Sequence, residues 1–179
     1  MEADWAAEVG PDLPRVDVPW VGYVDLRYTP EALMTTPEAV RSPALLTALG
    51  KLNGASSPVF TAKCDLWDLK PFEIDRYEFD ADPEDTACGH ASYIDVLQRD
   101  MKSLTSYPFH ESWATSRVAE LKKLDLPNGR IDLVIRPATA WGNDGYSVTI
   151  YVAGCGRDRA AAQRNWREVL AAAVLVTIK

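Results

Sequence analysis

The stretch "RIDLVIRPATAWGNDGYSVTIYVAG", residues 130–154, decides the class of fold. Residues 130–138 and 146–154 are rich in β-branched and aromatic side chains and read as two strands. The turn-forming "WGNDG" between them predicts an antiparallel hairpin. A helix follows directly: "RDRAAAQRNWREVLAAAVLVTIK" places Trp166, Leu170 and Val174 on one side and Arg157, Arg164 and Arg167 elsewhere, with Asp158 as N-cap. Its last residues, "AVLVTI", are β-branched enough to finish instead as a strand.

Upstream, "SWATSRVAELKKL" is a helix with Trp113, Val118, Leu121 and Leu124 on one side, stopped by the turn signal "DLPNG". Leu45, Leu46, Leu49 and Leu52 mark another helix that ends at "NG". "PWVGYVDLRY" (19–28) and "PVFTAKCDLW" (58–67) read as strands, and "EIDRYEF" (73–79) as a third. Residues 91–105 stay open between helix and strand, because Tyr93, Leu97, Met101 and Leu104 suit the one and "YIDV" the other. The whole predicts a single α+β domain over 19–179, with a mixed or mostly antiparallel sheet packed by about three helices, preceded by an N-terminal arm over 1–18.

An internal repeat is also suggested. "GYVDL" (22–26) and "SYIDV" (92–96) match, as do "TALGKL" (47–52) and "AELKKL" (119–124). On this reading residues 19–89 and 90–179 are duplicated strand, helix, strand, strand units, and "SYIDV" must be a strand.

Composition narrows the function classes. An apolar fraction of 47% with 25% charged residues is that of a folded protein, not a disordered one. No run of about 18 apolar residues is present, so no membrane partner is expected. The acidic N-terminal stretch lacks the apolar segment of a secretory signal. Three cysteines without CxxC spacing, Cys64, Cys88 and Cys155, fit reduced thiols in the cytoplasm.

Charge is concentrated in one place. Residues 65–85, "DLWDLKPFEIDRYEFDADPED", hold nine acids and two bases, a net of -7 that equals the net charge of the entire chain. Such a field repels nucleic acid and attracts a basic partner. Trp67, Phe72, Tyr77 and Phe79 are interleaved with the acids. Either these aromatics plug the core above a solvated acidic face, or they are anchors in an interaction surface whose carboxylates steer a basic protein. The second reading nominates Trp67, Phe72, Asp75, Tyr77, Glu78, Asp80 and Asp82 as partner-binding residues, in a protein of the inhibitor or immunity type.

Other chemistry finds less support. "DADPED" opens like a calcium loop, but the sixth and twelfth positions are Asp85 and Ala91 where glycine and glutamate are needed. A helix start at Pro83 is the alternative. Cys88 and His90 give at most one zinc-like ligand pair, so no metal or other cofactor is expected. An enzyme would have to use Cys155 as a thiolate, at a strand end before a helix, or Asp25 and Asp95 as an acid–base pair on the axis of the repeat. No GxGxxG, P-loop, HExxH or GxSxG motif is present. A structural subunit of a larger assembly is the third reading of a chain with so few motifs.

Overall fold

The hairpin at 130–154 is the spine of a six-stranded mixed sheet. The computed structural model describes residues 1–126 and 128–179. Its strands are β1 (Glu2–Ala7), β2 (Val16–Val18), β3 (Val59–Leu69), β4 (Cys88–Gln98), β5 (Gly129–Ala140) and β6 (Asn143–Gly156). The helices are α1 (Pro37–Arg41), α2 (Pro43–Asn53), α3 (Arg76–Phe79), α4 (Met101–Leu104), α5 (Tyr107–Leu121) and α6 (Arg159–Thr177), with short 3-10 turns at Pro30–Thr35, Pro71–Glu73 and Pro83–Asp85. Together they form one α+β domain. Strand order is β1-β5-β6-β4-β3, and β2 continues the β1 edge by pairing with the far end of β5. β1 and β2 run parallel to β5, while every other pairing is antiparallel.

Two residues close the hairpin, Trp141 at φ 48 and Gly142 at φ 80, the left-handed pair that matches the twist of the flanking strands. Strand alternation then sorts the side chains. Ile131, Leu133 and Ile135 of β5, Ile94 and Val96 of β4, and Val148, Ile150 and Val152 of β6 share one core with α2, α5 and α6. Leu45, Leu49 and Leu52 of α2 are almost completely buried there, each contributing about 1.5–3 kcal/mol. Helix spacing puts them on one side, Ser42 caps the start by accepting from Leu45 N, and Gly54 follows the end.

α6 lies against the hairpin at a distance only glycine permits. A Cβ on Gly154 would sit 2.3 Å from the backbone nitrogen of Trp166, and one on Gly129, its cross-strand neighbour, 2.3 Å from Val169 Cγ2. Trp166 is buried in the seam and donates from Nε1 to Ser92 Oγ of β4 at 3.0 Å. Asp158 caps α6 by accepting from Ala161 N. The helix runs on to Thr177, so "AVLVTI" is helical: Val174 and Val176 are buried in the shared core, and that packing outweighs β propensity.

Four expectations are corrected. Residues 19–28 form turns rather than a strand. Asp25 accepts from Arg27 N, Nε and Nη2, and the Arg27 guanidinium lies over the rings of Phe60 (3.9 Å) and Trp141 (4.8 Å). These bonds fold the segment back on itself where a strand would need a ladder partner. Residues 73–79 end in α3, because Asp75 caps Tyr77 N and Asp80 adopts a left-handed conformation. The duplication fails, since 92–96 lie in β4 whereas 22–26 lie in turns. The first 18 residues are more than an arm, since two of their segments are strands of the sheet. For 91–105, strand holds to Gln98 and a short helix follows. The "DLPNG" turn includes Pro127, which lies outside the described residues. Among the described residues no helix is long and apolar enough to cross a membrane.

Because Gly154 meets helix backbone rather than a movable side chain, Gly154→Ala should cost at least about 2 kcal/mol through forced separation of α6 from the sheet. Urea denaturation would show it as a lower midpoint. Gly142→Ala, which meets nothing within 4 Å but sits at φ 80, should cost less, as conformational strain alone.

Candidate functional site

After β3 the chain leaves the sheet and turns three times through Pro71–Glu73, α3 and Pro83–Asp85 before returning as β4. The excursion is anchored by a small core of its own: Ile74 and Phe79 pack with Cys155 from the end of β6, flanked by Leu69 and Ala81. It therefore forms a lobe at one end of the sheet, and the acids are distributed around that anchor.

The aromatics divide. Phe79 is buried, as a core plug should be. Phe72 and Tyr77 are 81% and 74% exposed. Desolvating neither contributes to folding, and each presents a large apolar ring to solvent. Lys70 and Arg76 lie against these rings, 5.5 Å from the centre of Phe72 and 4.4 Å from that of Tyr77. Trp67 stands apart, on β3 near Tyr93 with ring centres 6.4 Å apart.

The acids divide too. Asp75 is spent on capping α3, and Glu73 accepts from Lys70 N at 2.7 Å. Glu78 reaches Arg130 at 2.8 Å and Asp80 the N-terminal amine at 3.2 Å. Asp65 and Asp68 turn away from the lobe, toward Arg41 and Arg159. Asp82 and Glu84 make no ion pair among the described residues. Tyr77, Asp80, Asp82 and Asp85 line one side of a shallow hollow of about 550 Å³ with Arg76 and Asn128. Of the nominated residues, then, Tyr77, Asp80 and Asp82 share a surface. Glu78 lines an adjoining hollow with Tyr77, and Trp67 belongs elsewhere. No cluster of three metal-ligating side chains exists among the described residues.

The enzymatic candidates are scattered. Cys155 is buried in the lobe's core, and burial, with Asp85 nearby, pushes its thiol up to about 11. It is a neutral thiol at ordinary pH, the reverse of an activated nucleophile. Asp25 and Asp95 do not meet. Burial works to raise Asp25, but the bonds from Arg27 outweigh it and hold the carboxyl below its usual value. Asp95 sits on the sheet face away from the helices, in register with Thr149, whose Oγ1 donates to it at 2.6 Å. Burial raises Asp95 despite that bond and the charges of Arg136 and Lys63.

A second grouping was not anticipated from the sequence. Arg41, Arg159 and Arg167 line a cleft of about 510 Å³ with His90 and Trp166 at the β3 edge. The four-residue spacing of Arg159, Gln163 and Arg167 was the available signal, since it puts all three on one face of α6.

Asp95 gives a test in pH. Its folded value lies above the unfolded one, so its contribution is fully present below the ordinary carboxylate value and is lost as pH rises through the raised one. Asp95→Asn stays neutral throughout. Its melting temperature relative to wild type should climb as pH rises above the ordinary carboxylate value of about 4, and a difference that stays constant with pH would refute the burial of a raised carboxyl. Set against protein-family models, curated proteins and solved structures, the chain matches none.

Proposed function

We propose that the acidic lobe binds a protein with a basic surface, in the manner of an inhibitor or immunity protein. The observation that carries this reading is the exposure of Phe72 and Tyr77 on the segment that holds the chain's whole net charge. A folded chain gains nothing by presenting two large rings to water, whereas an interface gains buried area from each. Asp80 and Asp82 share a hollow with Tyr77 and Glu78 an adjoining one, and carboxylates at a rim raise the association rate and select partners of opposite charge. Trp67 lies outside this surface and is left out of the proposal. The same charge disfavours nucleic acid. Three free thiols, Cys64, Cys88 and Cys155, support a cytoplasmic setting.

The carboxylates have structural duties as caps and ion pairs, so the cleaner variants are the aromatics. The double variant Phe72→Ala, Tyr77→Ala should keep the wild-type melting temperature. It should also lose a basic protein that the wild type retains at low salt and releases at high salt. Quantitative mass spectrometry of proteins copurified with each form gives the comparison. Equal recovery of every salt-sensitive partner by the variant would sink the proposal.

A further inference from the structure

On the helix-covered side of the β3 edge, the start of α2 and the first turns of α6 part around the cleft of about 510 Å³. Three arginines line it, in a protein whose net charge is -7. Arg159 is tied to Asp68 at 2.8 Å, while Arg41 reaches Asp65 and Glu38 only at 3.5 and 3.8 Å. Arg167 has no hydrogen bond or ion pair among the described residues. Of these carboxylates only Asp68 lines the cleft, so its own lining has three arginines to one acid.

Its floor is built rather than incidental. His90 is only 7% exposed and lines the cavity. Asp68 Oδ1 engages its Nδ1 at 2.7 Å, and Nε2 makes no bond within the described chain. The ring stands edge-on to Trp166, with centres 4.6 Å apart, and Trp166 is itself held by Ser92. The imidazole is held from two sides, and its Nε2 is not sealed from solvent, which leaves it free to meet a ligand in the cleft. Ser42, Pro43 and Ala44 bring the first turn of α2 to the same wall.

We infer that this cleft binds a small phosphorylated molecule, a phosphomonoester whose phosphate is held by Arg41, Arg159 and Arg167 beside His90. Three forked donors exceed what the two oxygens of a carboxylate can accept and match the three terminal oxygens of a phosphate. The cavity is larger than a phosphate needs. Leu66 offers an apolar wall to the rest of the ligand. The inference does not depend on the acidic lobe.

Isothermal titration calorimetry at low salt can decide it, with inorganic phosphate, adenosine monophosphate and acetate as probes. Adenosine monophosphate should bind more tightly than phosphate, and acetate should give no heat. Arg167→Ala, at an exposed position, should weaken phosphate binding about tenfold or more, the loss expected of one charge-assisted contact. Arg164→Ala, on the same helix but outside the cleft, should leave it unchanged. No heat from phosphate, equal loss in both arginine variants, or acetate binding as well as phosphate would overturn the inference. The Phe72→Ala, Tyr77→Ala variant should bind phosphate as wild type does, which separates this site from the proposed protein interface.

Discussion

Close contact between α6 and the hairpin is the constraint on which the rest of the molecule depends. Gly129 and Gly154 face each other across β5 and β6, and neither leaves room for a Cβ beneath the helix. That approach puts the Trp166 indole between helix and sheet, where Ser92 satisfies its N–H. Burying so large a ring without an unpaired donor is what makes a tryptophan core both strong and specific in geometry. The seam then fixes α2 beside α6 over the same sheet face. Both walls of the arginine cleft follow from it, since one is the start of α2 and the other the first turns of α6.

The opposite face of the sheet is managed differently. Residues 16–28 and α4 cover one end through Val16, Val18, Leu104 and Tyr23, and the acidic lobe covers the other through Ile74 and Phe79. Between them lies a polar belt of Asp95, Thr149 and Arg136, with Arg136 tied to Glu8 at 2.8 Å. The lobe is therefore both a plug and a projection. Its inward residues close the core and free its outward ones for contact, which is why a segment so rich in charge is also so ordered.

Much of this was legible from periodicity. The hairpin, the three long helices and the Asp158 cap came from patterns in which neighbours along the chain are also neighbours in the element. Where those patterns misled, a longer-range contact had intervened. Residues 19–28 alternate as a strand should, yet Asp25 and Arg27 fold them against Phe60 and Trp141, partners more than thirty positions away. "EIDRYEF" is apolar enough for a strand, but Asp75 caps a helical turn that Asp80 ends in a left-handed conformation. The apparent repeat was a coincidence of short hydrophobic words, which carry no information about their partners.

By itself the sequence determined the class of fold, the presence of the long helices, and the concentration of charge in residues 65–85, because composition and local spacing are properties of the chain alone. Only the tertiary structure decided which aromatics of that segment are core and which are surface. It also showed that Cys155 is sealed from solvent and that Asp25 and Asp95 have separate partners. The cleft shows the difference most plainly. Arg41, His90 and Arg167 lie 49 or more positions apart in the chain, and no spacing rule connects them. They meet because two helices and a sheet edge meet, held there by a glycine pair that lets one helix come close.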